Sequence, residues 1–359
     1  MDKIRVGIVG VGSIAQSAHL PHYAGQNDVE VVAFADPETE RVEKAAAAFA
    51  QKYGVAQPPV YATMEEMIAA KRERIDAVSI CTPNAQHVPL AREALAAGWH
   101  TLLEKPMGTE TADVEALTKQ AEDCGRILMI GMTHRYREDV EVVKRYIDAG
   151  ELGDIYFAKT RILRRRGTPK GWFTDRAVAG GGPLMDIGVH ALDLTWWLTG
   201  AQAPATVSGF LHRGIGQDHL DFIRTWEARS AGNEQNEIYT TEDFAAAFIR
   251  FKSGMVIEME VSWALNGPED DALKVEIFGA KGGVSLDPLR IYGTAHRVLT
   301  TTEPAAGMGS PHEREIGHFL DCIRNGRQPL STAEQGLQVV RMLSAISESS
   351  LRGREVALA

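Results

Sequence analysis

The chain reads as α/β: an N-terminal doubly wound parallel sheet, then an α+β domain with a large, open, mostly antiparallel sheet. Three observations predict this. Over the first 130 or so residues, short apolar runs alternate with helical patterns, and right-handed βαβ crossovers turn that alternation into a parallel sheet. After about residue 133 the strands lengthen and follow one another with little helix between them. KSG (252–254) and AKGG (280–283) then read as hairpin turns.

Each element has its own signal. IRVGIV (4–9) is a continuous apolar run suited to a strand buried on both faces. A helix over about 13–25 leads to the strand VEVVAFA (29–35), and PETERVEKAAAAFAQKYG is the next helix. DAVSICT (76–82), HTLLEKP (100–106) and RILMIGM (126–132) are strands, separated by helices that end at Gly98 and Gly125. These make a first domain over 1–132. The second, 133–359, starts with a helix near 138–149 and the strand DIYFAKTRIL. Its later strands are ATVSGFLHR, EDFAAAFIRFKSG, MVIEMEVSWAL and DALKVEIFGAKGGVSLD, and helices near 312–325 and 333–350 close the chain. MVIEMEVSW alternates, with Ile257, Met259, Val261 and Trp263 on one face and Glu258, Glu260 and Ser262 on the other. Such a sheet is apolar on one side only.

The 359 residues suffice for two cores, and 44% hydrophobic with 24% charged residues is ordinary for a globular chain. A formal net charge of −10 argues against nucleic acid or an anionic membrane as partner. No apolar run is long enough to span a bilayer, and MDKIRVGIVGVG reads as a first strand rather than a signal peptide. Cys81, Cys124 and Cys322 are odd in number and sit in regular structure, which suits a reduced, cytoplasmic setting.

Chemistry concentrates in four places. GVGSIA (10–15) lies between a buried strand and a helix. There Gly10 permits a tight turn, Gly12 admits a pyrophosphate, and Ala15 allows close helix–strand packing. Ser13 and Ile14 begin the helix whose free N–H groups face the phosphates. Asp36, 21 residues beyond Ala15 at the end of the second strand, suits a ribose 2′-OH and repels a 2′-phosphate. NAD is therefore expected over NADP, with Arg41 the neighbour able to move that preference. Thr82, Pro83 and Asn84, with His87 beyond them, and Glu104 with Lys105 fall at strand carboxyl ends, the ligand edge of such a sheet. Pro106 keeps Lys105 out of helical conformation, at the strand tip.

The fourth place is GGGPLMDIGVHALD (180–193). Asp186 and His190 are four residues apart and share a helix face, which Asp193 and Trp197 extend. Leu184, Ile187, Ala191, Leu194 and Leu198 form a separate apolar stripe. The glycines let the segment pass close to a ligand, and Pro183 occupies the first turn. Upstream, RILRRRGTPKGWFTD (161–175) offers Trp172 to stack on a sugar face and Arg164 for a carboxylate or phosphate. HRY (134–136) offers Arg135 or Tyr136 to substrate hydroxyls. HEREIGH (312–318) places its histidines six apart, so it is no HExxH zinc motif.

Together GVGSIA, EKPMG and GGGPLMDIGVHALD, in this order across essentially the whole chain, resemble the Gfo/Idh/MocA oxidoreductases. The resemblance implies a Rossmann domain plus an open-faced α/β domain whose sheet forms the subunit interface of a homodimer or homotetramer. It implies a nicotinamide dinucleotide and redox chemistry at a sugar or polyol carbon, with Lys105, Asp186 and His190 lining the reaction site and a cis bond before Pro106. Those residue types fit alcohol oxidation. A neutral His190 can take the hydroxyl proton, and Lys105 can stabilise negative charge on the same oxygen. The reverse assignment, Lys105 as acceptor, stays open. Asp186 orients the imidazole or a substrate hydroxyl. Two other activities share the architecture: a glycosidase using NAD transiently and a non-enzymatic sugar sensor. A sensor has no need of the lysine, aspartate and histidine.

Overall fold

The computed structural model describes residues 3–70, 74–216, 238–268, 270 and 273–358; the first two residues of DALKVEIFG lie outside these. Two compact units divide them. One comprises Met1–Gly131 with His312–Leu337; the other takes Met132 onward together with Gln338–Ala359. The closing helices are thus shared: His312–Leu337, read from sequence as part of a second domain over 133–359, belongs with the N-terminal unit.

In the first unit, six strands form an all-parallel sheet: β1 (Ile4–Val9), β2 (Val29–Ala35), β3 (Val60–Tyr61), β4 (Ala77–Ile80), β5 (His100–Glu104) and β6 (Leu128–Gly131). Their order is β3-β2-β1-β4-β5-β6, so the direction of winding reverses between β1 and β4. That switch point is where an open α/β sheet holds its ligand. Val6, Ile8, Val78, Ile80, Leu102 and Leu103 are fully buried, because helices cover both faces of the sheet. The two-residue β3 was not legible, being too short to show a period. The expected helix over 13–25 is instead a π-helical turn, Ala15–His19, followed by Leu20–Ala24. Pro21 explains the change, since it has no N–H for the α-helical bond and its ring crowds the preceding carbonyls. The 312–337 segment edges this sheet: Ile130 N–H donates to the Ser331 carbonyl at 3.1 Å, and Met129 bridges Thr332.

The second unit is a nine-stranded sheet. Its strands are β7 (Ile155–Leu163), β8 (Pro204–His212), β9 (Phe244–Phe251), β10 (Val256–Ser262), β11 (Leu273–Gly279), β12 (Gly283–Leu286), β13 (Arg290–Ala295), β14 (Val298–Thr302) and β15 (Val356–Ala357). The order is β14-β13-β12-β11-β7-β10-β9-β8-β15, antiparallel except for the parallel β7–β10 pair. Ile257, Met259, Val261 and Trp263 are fully buried, as their alternation required. The helix of Val189–Leu198, preceded by a π-helical turn at Leu184–Gly188, lies against β7, β10 and β11.

One buried ion pair ties this helix to the HRY segment. Arg135 donates through Nε and Nη2 to the two Asp193 carboxylate oxygens at 2.9 and 2.5 Å, with both side chains almost wholly buried. Trp197 lies 5.4 Å from the guanidinium and 5.6 Å from Lys144 Nζ. Asp193→Ala strands the arginine charge in a dry interior, so urea denaturation is expected to show a loss of about 3–5 kcal/mol. Arg135→Met combined with Asp193→Leu should cost far less than the sum of the single changes. Additive losses would mean the two residues do not act as a pair.

Candidate active site

The nucleotide half forms around the β1–β4 switch. Gly10 follows β1 with φ +82°, and a Cβ there would lie 2.8 Å from the Cys81 backbone, so this glycine is required by both dihedral and space. Gly12 differs. A Cβ on it would meet nothing within 4 Å, and its backbone is ordinary. No contact in the described protein demands a glycine there, and the open space would fit an approaching pyrophosphate. Ser13 and Ile14, both partly exposed, open the helical turn beside it.

Asp36, at the end of β2, is buried and ties the loop together. Its Oδ2 accepts from Val11 N–H at 2.9 Å, its Oδ1 from Glu38 N–H at 3.0 Å, and Arg41 forks across both oxygens. Arg41 is thus the partner of the carboxylate that sequence pairs with a ribose, and it holds that carboxylate in a fixed plane.

Thr82, Pro83 and Asn84 follow β4, with Asn84 buried at the start of a single 3₁₀ turn. His87, read from sequence as a cofactor contact, has two backbone neighbours in the structure. It is buried, with Nδ1 2.6 Å from the Pro106 carbonyl and Nε2 2.8 Å from the Thr82 carbonyl. Its ring staples together the two loops that line the sheet edge. Burial pushes its pKa down, against the pull of those carbonyls. Glu104 ends β5, and Lys105, partly exposed, follows at the strand tip with a cis bond to Pro106.

In the second unit, the chemistry gathers at one edge of the sheet, where β7 and β10 end and β9 begins. From Gly181 to Thr199 every residue is buried except Asp186, His190 and Trp197. A helix apolar all round belongs to a core, so those positions alone in the segment open outward. Asp186 Oδ2 accepts from Trp263 Nε1 at 3.1 Å. The His190 ring meets His134 edge-on at 4.7 Å. His134 was missed: HRY pointed to this turn, and in the structure Arg135 pairs with Asp193. Tyr136 is largely buried. Arg164, also largely buried, follows β7, its backbone N–H donating to the Ser262 carbonyl at 3.0 Å. Trp172 is partly exposed and stacked on Phe173 at 4.0 Å.

The glycine segment has a cause that sequence did not reveal. Glu242, buried just before β9, accepts at Oε1 from Gly182 N–H (2.7 Å) and Leu184 N–H (3.2 Å), and at Oε2 from Arg176 (3.0 Å). A Cβ on Gly182 would fall 2.0 Å from the Glu242 carbonyl oxygen. Gly182 therefore makes room for Glu242, while Gly181 lies against Met185 and Gly180 takes a left-handed φ of 78°. Burial pushes the Glu242 carboxyl up in pKa, opposed by its own backbone amide, Arg176 and the two segment N–H groups. Next to it, Asp243 Oδ2 collects the N–H groups of Gly214, Ile215 and Gly216 at 2.7–2.9 Å, while its carbonyl receives Trp263 N–H at 2.9 Å. Among the described residues no cluster of metal-ligating side chains is present, and no helix is long and apolar enough to cross a membrane.

Comparison with known proteins places these features. Residues 4–132 match the oxidoreductase family with an NAD-binding Rossmann fold, and residues 140–285 match the GFO/IDH/MocA C-terminal domain. D-glucoside 3-dehydrogenase of Escherichia coli (strain K12) is 31% identical over 99% of this chain and 98% of its own length. The chain belongs to the Gfo/Idh/MocA oxidoreductases. Within that family, the NAD(+)-dependent scyllo-inositol 2-dehydrogenase of Bacillus subtilis (strain 168) is 26% identical over 92% of this chain and 89% of its own. Among solved structures, aldose-aldose oxidoreductase from Caulobacter crescentus is 26% identical with TM-score 0.80, covering 99% of this chain and 100% of that one. Levoglucosan dehydrogenase with NADH shares the fold at TM-score 0.81 and 22% identity, covering 100% of both chains. This Gfo/Idh/MocA member is an NAD-dependent oxidoreductase.

Two glycine substitutions separate the halves. Gly12→Ala should fold normally yet weaken NAD binding by roughly tenfold or more in a calorimetric titration, because only the ligand needs that space. Gly182→Ala should keep NAD affinity but lower turnover by on the order of 10²-fold, since displacing the Asp186 segment by an ångström is enough. Equal NAD affinity in Gly12→Ala and wild type would remove the pyrophosphate from that loop.

Proposed function

We propose that this enzyme oxidises, or in reverse reduces, a hydroxyl-bearing carbon of a sugar, sugar derivative or cyclic polyol. The observation that carries the reading is the confinement of exposure in the buried 181–199 segment to Asp186, His190 and Trp197. The relatives named for D-glucosides and scyllo-inositol support the substrate class. When bound, NAD⁺ supplies the hydride acceptor. The chain must remove the hydroxyl proton and hold the oxygen. His190 is assigned as proton acceptor, with His134 against its ring limiting its rotation. Asp186, fixed by Trp263, orients the substrate hydroxyl or the imidazole. Lys105 stabilises negative charge on the reacting oxygen. Trp172, Arg164 and Tyr136 are assigned to the substrate side. Asp36 favours NAD over NADP by repelling a 2′-phosphate.

The outward face of the nine-stranded sheet, on which Phe210 is more than half exposed, is assigned to contact between copies of the chain. Cys81, Cys124 and Cys322 are all free thiols, which supports a cytoplasmic setting.

The deciding experiment is NADH formation from NAD⁺ with glucosides, free hexoses, inositols and sugar acids. Turnover on any of them supports the reading. Silence from protein that binds NAD shifts it to a transiently oxidising glycosidase or a sensor. His190→Ala should lower turnover on the order of 10²–10⁴-fold, with NAD affinity unchanged. Near-normal turnover would take the proton-acceptor role from His190.

A further inference from the structure

The carboxylate at the end of β2 has its acceptor positions filled by the protein itself. Two lone pairs on each oxygen give Asp36 about four such positions. Val11 N–H and Arg41 Nε reach Oδ2 at 2.9 and 3.2 Å, and Glu38 N–H and Arg41 Nη2 reach Oδ1 at 3.0 and 2.5 Å. Four donors meet four positions. The Asp36 side chain is only 3% exposed, so solvent adds little to this set.

The four donors are not equivalent. Val11 donates from the main chain just after β1, and Glu38 from the main chain at the cap of the helix Thr39–Tyr53. Neither can leave without moving its loop. Arg41 donates from a side chain in the first turn of that helix, and 36% of that side chain is exposed. Its fork is charge-assisted and holds a defined geometry. An ion pair with one partner open to water is nevertheless worth little net, so Arg41 is the donor that can be exchanged. A guanidinium that lets go of the carboxylate keeps its charge at any working pH. Its helix also keeps it beside Asp36.

We infer that Arg41 sets how far the enzyme discriminates between the two nicotinamide dinucleotides: a ribose 2′-OH gains Asp36 only by displacing Arg41, and the displaced guanidinium pairs with a 2′-phosphate. This rests on the reading of Asp36 as the ribose carboxylate and adds an opposing residue to it. NAD breaks a fork before it gains its hydroxyl bond, so Arg41 weakens it. NADP is repelled by Asp36 and recovers binding from Arg41 through a charge-assisted pair. Selectivity is a difference between two affinities, and Arg41 narrows that difference from both sides. The enzyme therefore binds both dinucleotides, NAD the more tightly.

Calorimetric titration of the full-length protein with NAD⁺ and with NADP⁺ tests this, in wild type and in Arg41→Ala. In the variant, Kd for NAD⁺ should fall about threefold, because nothing competes for Asp36, while Kd for NADP⁺ should rise roughly tenfold or more. Arg41→Lys keeps the charge without the fork and should hold NADP⁺ within about threefold of wild type. Weaker NAD⁺ binding in Arg41→Ala would make the arginine a prop for Asp36 and overturn the inference. So would unchanged NADP⁺ binding in that variant, or no NADP⁺ binding in wild type. Asp36→Asn distinguishes the two levels. If it binds NAD⁺ as wild type does, the ribose reading fails and takes the inference with it. If it binds NAD⁺ more weakly while Arg41→Ala changes neither affinity, the inference alone falls.

Discussion

Two adjacent carboxylates, Glu242 and Asp243, are buried at the start of β9, where ionised groups survive only if backbone or cationic donors surround them. Glu242 turns to the glycine segment and Asp243 to the 214–216 loop, so each recruits a different stretch of chain. The third connection is by main chain, from the Asp243 carbonyl to Trp263, whose indole holds Asp186. Asp186 is thereby fixed from two sides: through the segment that begins its helix and through the ring that binds its carboxylate. The demand for hydrogen bonds at one buried dipeptide thus reaches Asp186 along two routes.

The nucleotide unit solves a related problem with other means. Its loop is held by one carboxylate, Asp36, accepting from Val11 and Glu38 and braced by Arg41. Its two ligand-edge loops are stapled by His87. In both units a π-helical turn stands at the start of the functional helix, Ala15–His19 in one and Leu184–Gly188 in the other. Such turns widen the backbone and redirect side chains by a fraction of a turn, and they recur at functional sites. Here one delivers His19 to Glu104, and the other carries Asp186.

What sequence revealed follows from what is local. The parallel strands showed because burial on both faces leaves long apolar runs, and the phosphate loop because its glycines, strand and helix are contiguous. Gly12 was legible as part of that turn, and the structure leaves open space beside it. Gly182 was legible as unusual, but its close approach to Glu242 was not, because that partner is 60 residues away. Arg135 and Asp193 are likewise 58 residues apart, so a lone arginine in HRY looked available to substrate. His87 carried no sign that both its nitrogens would meet carbonyls. The exposed β14 escaped because a strand without a buried face has no alternation to detect.

Among the described residues the first unit is made from two pieces of chain, with β7 to β14 of the second sheet inserted between them. Ser331 receives the Ile130 amide and returns its hydroxyl to the Ile130 carbonyl, so β6 gains its outer neighbour from residues made some 200 positions later. Gly336 sits against Met107 and Ile130 on the same flank. During synthesis, which proceeds from the N-terminus, the nucleotide-binding unit emerges first yet is finished almost last. Until residue 337 has cleared the ribosome, the β6 edge is an open strand able to pair with whatever chain is near. A nascent protein of this design depends on its last helices to close its first sheet.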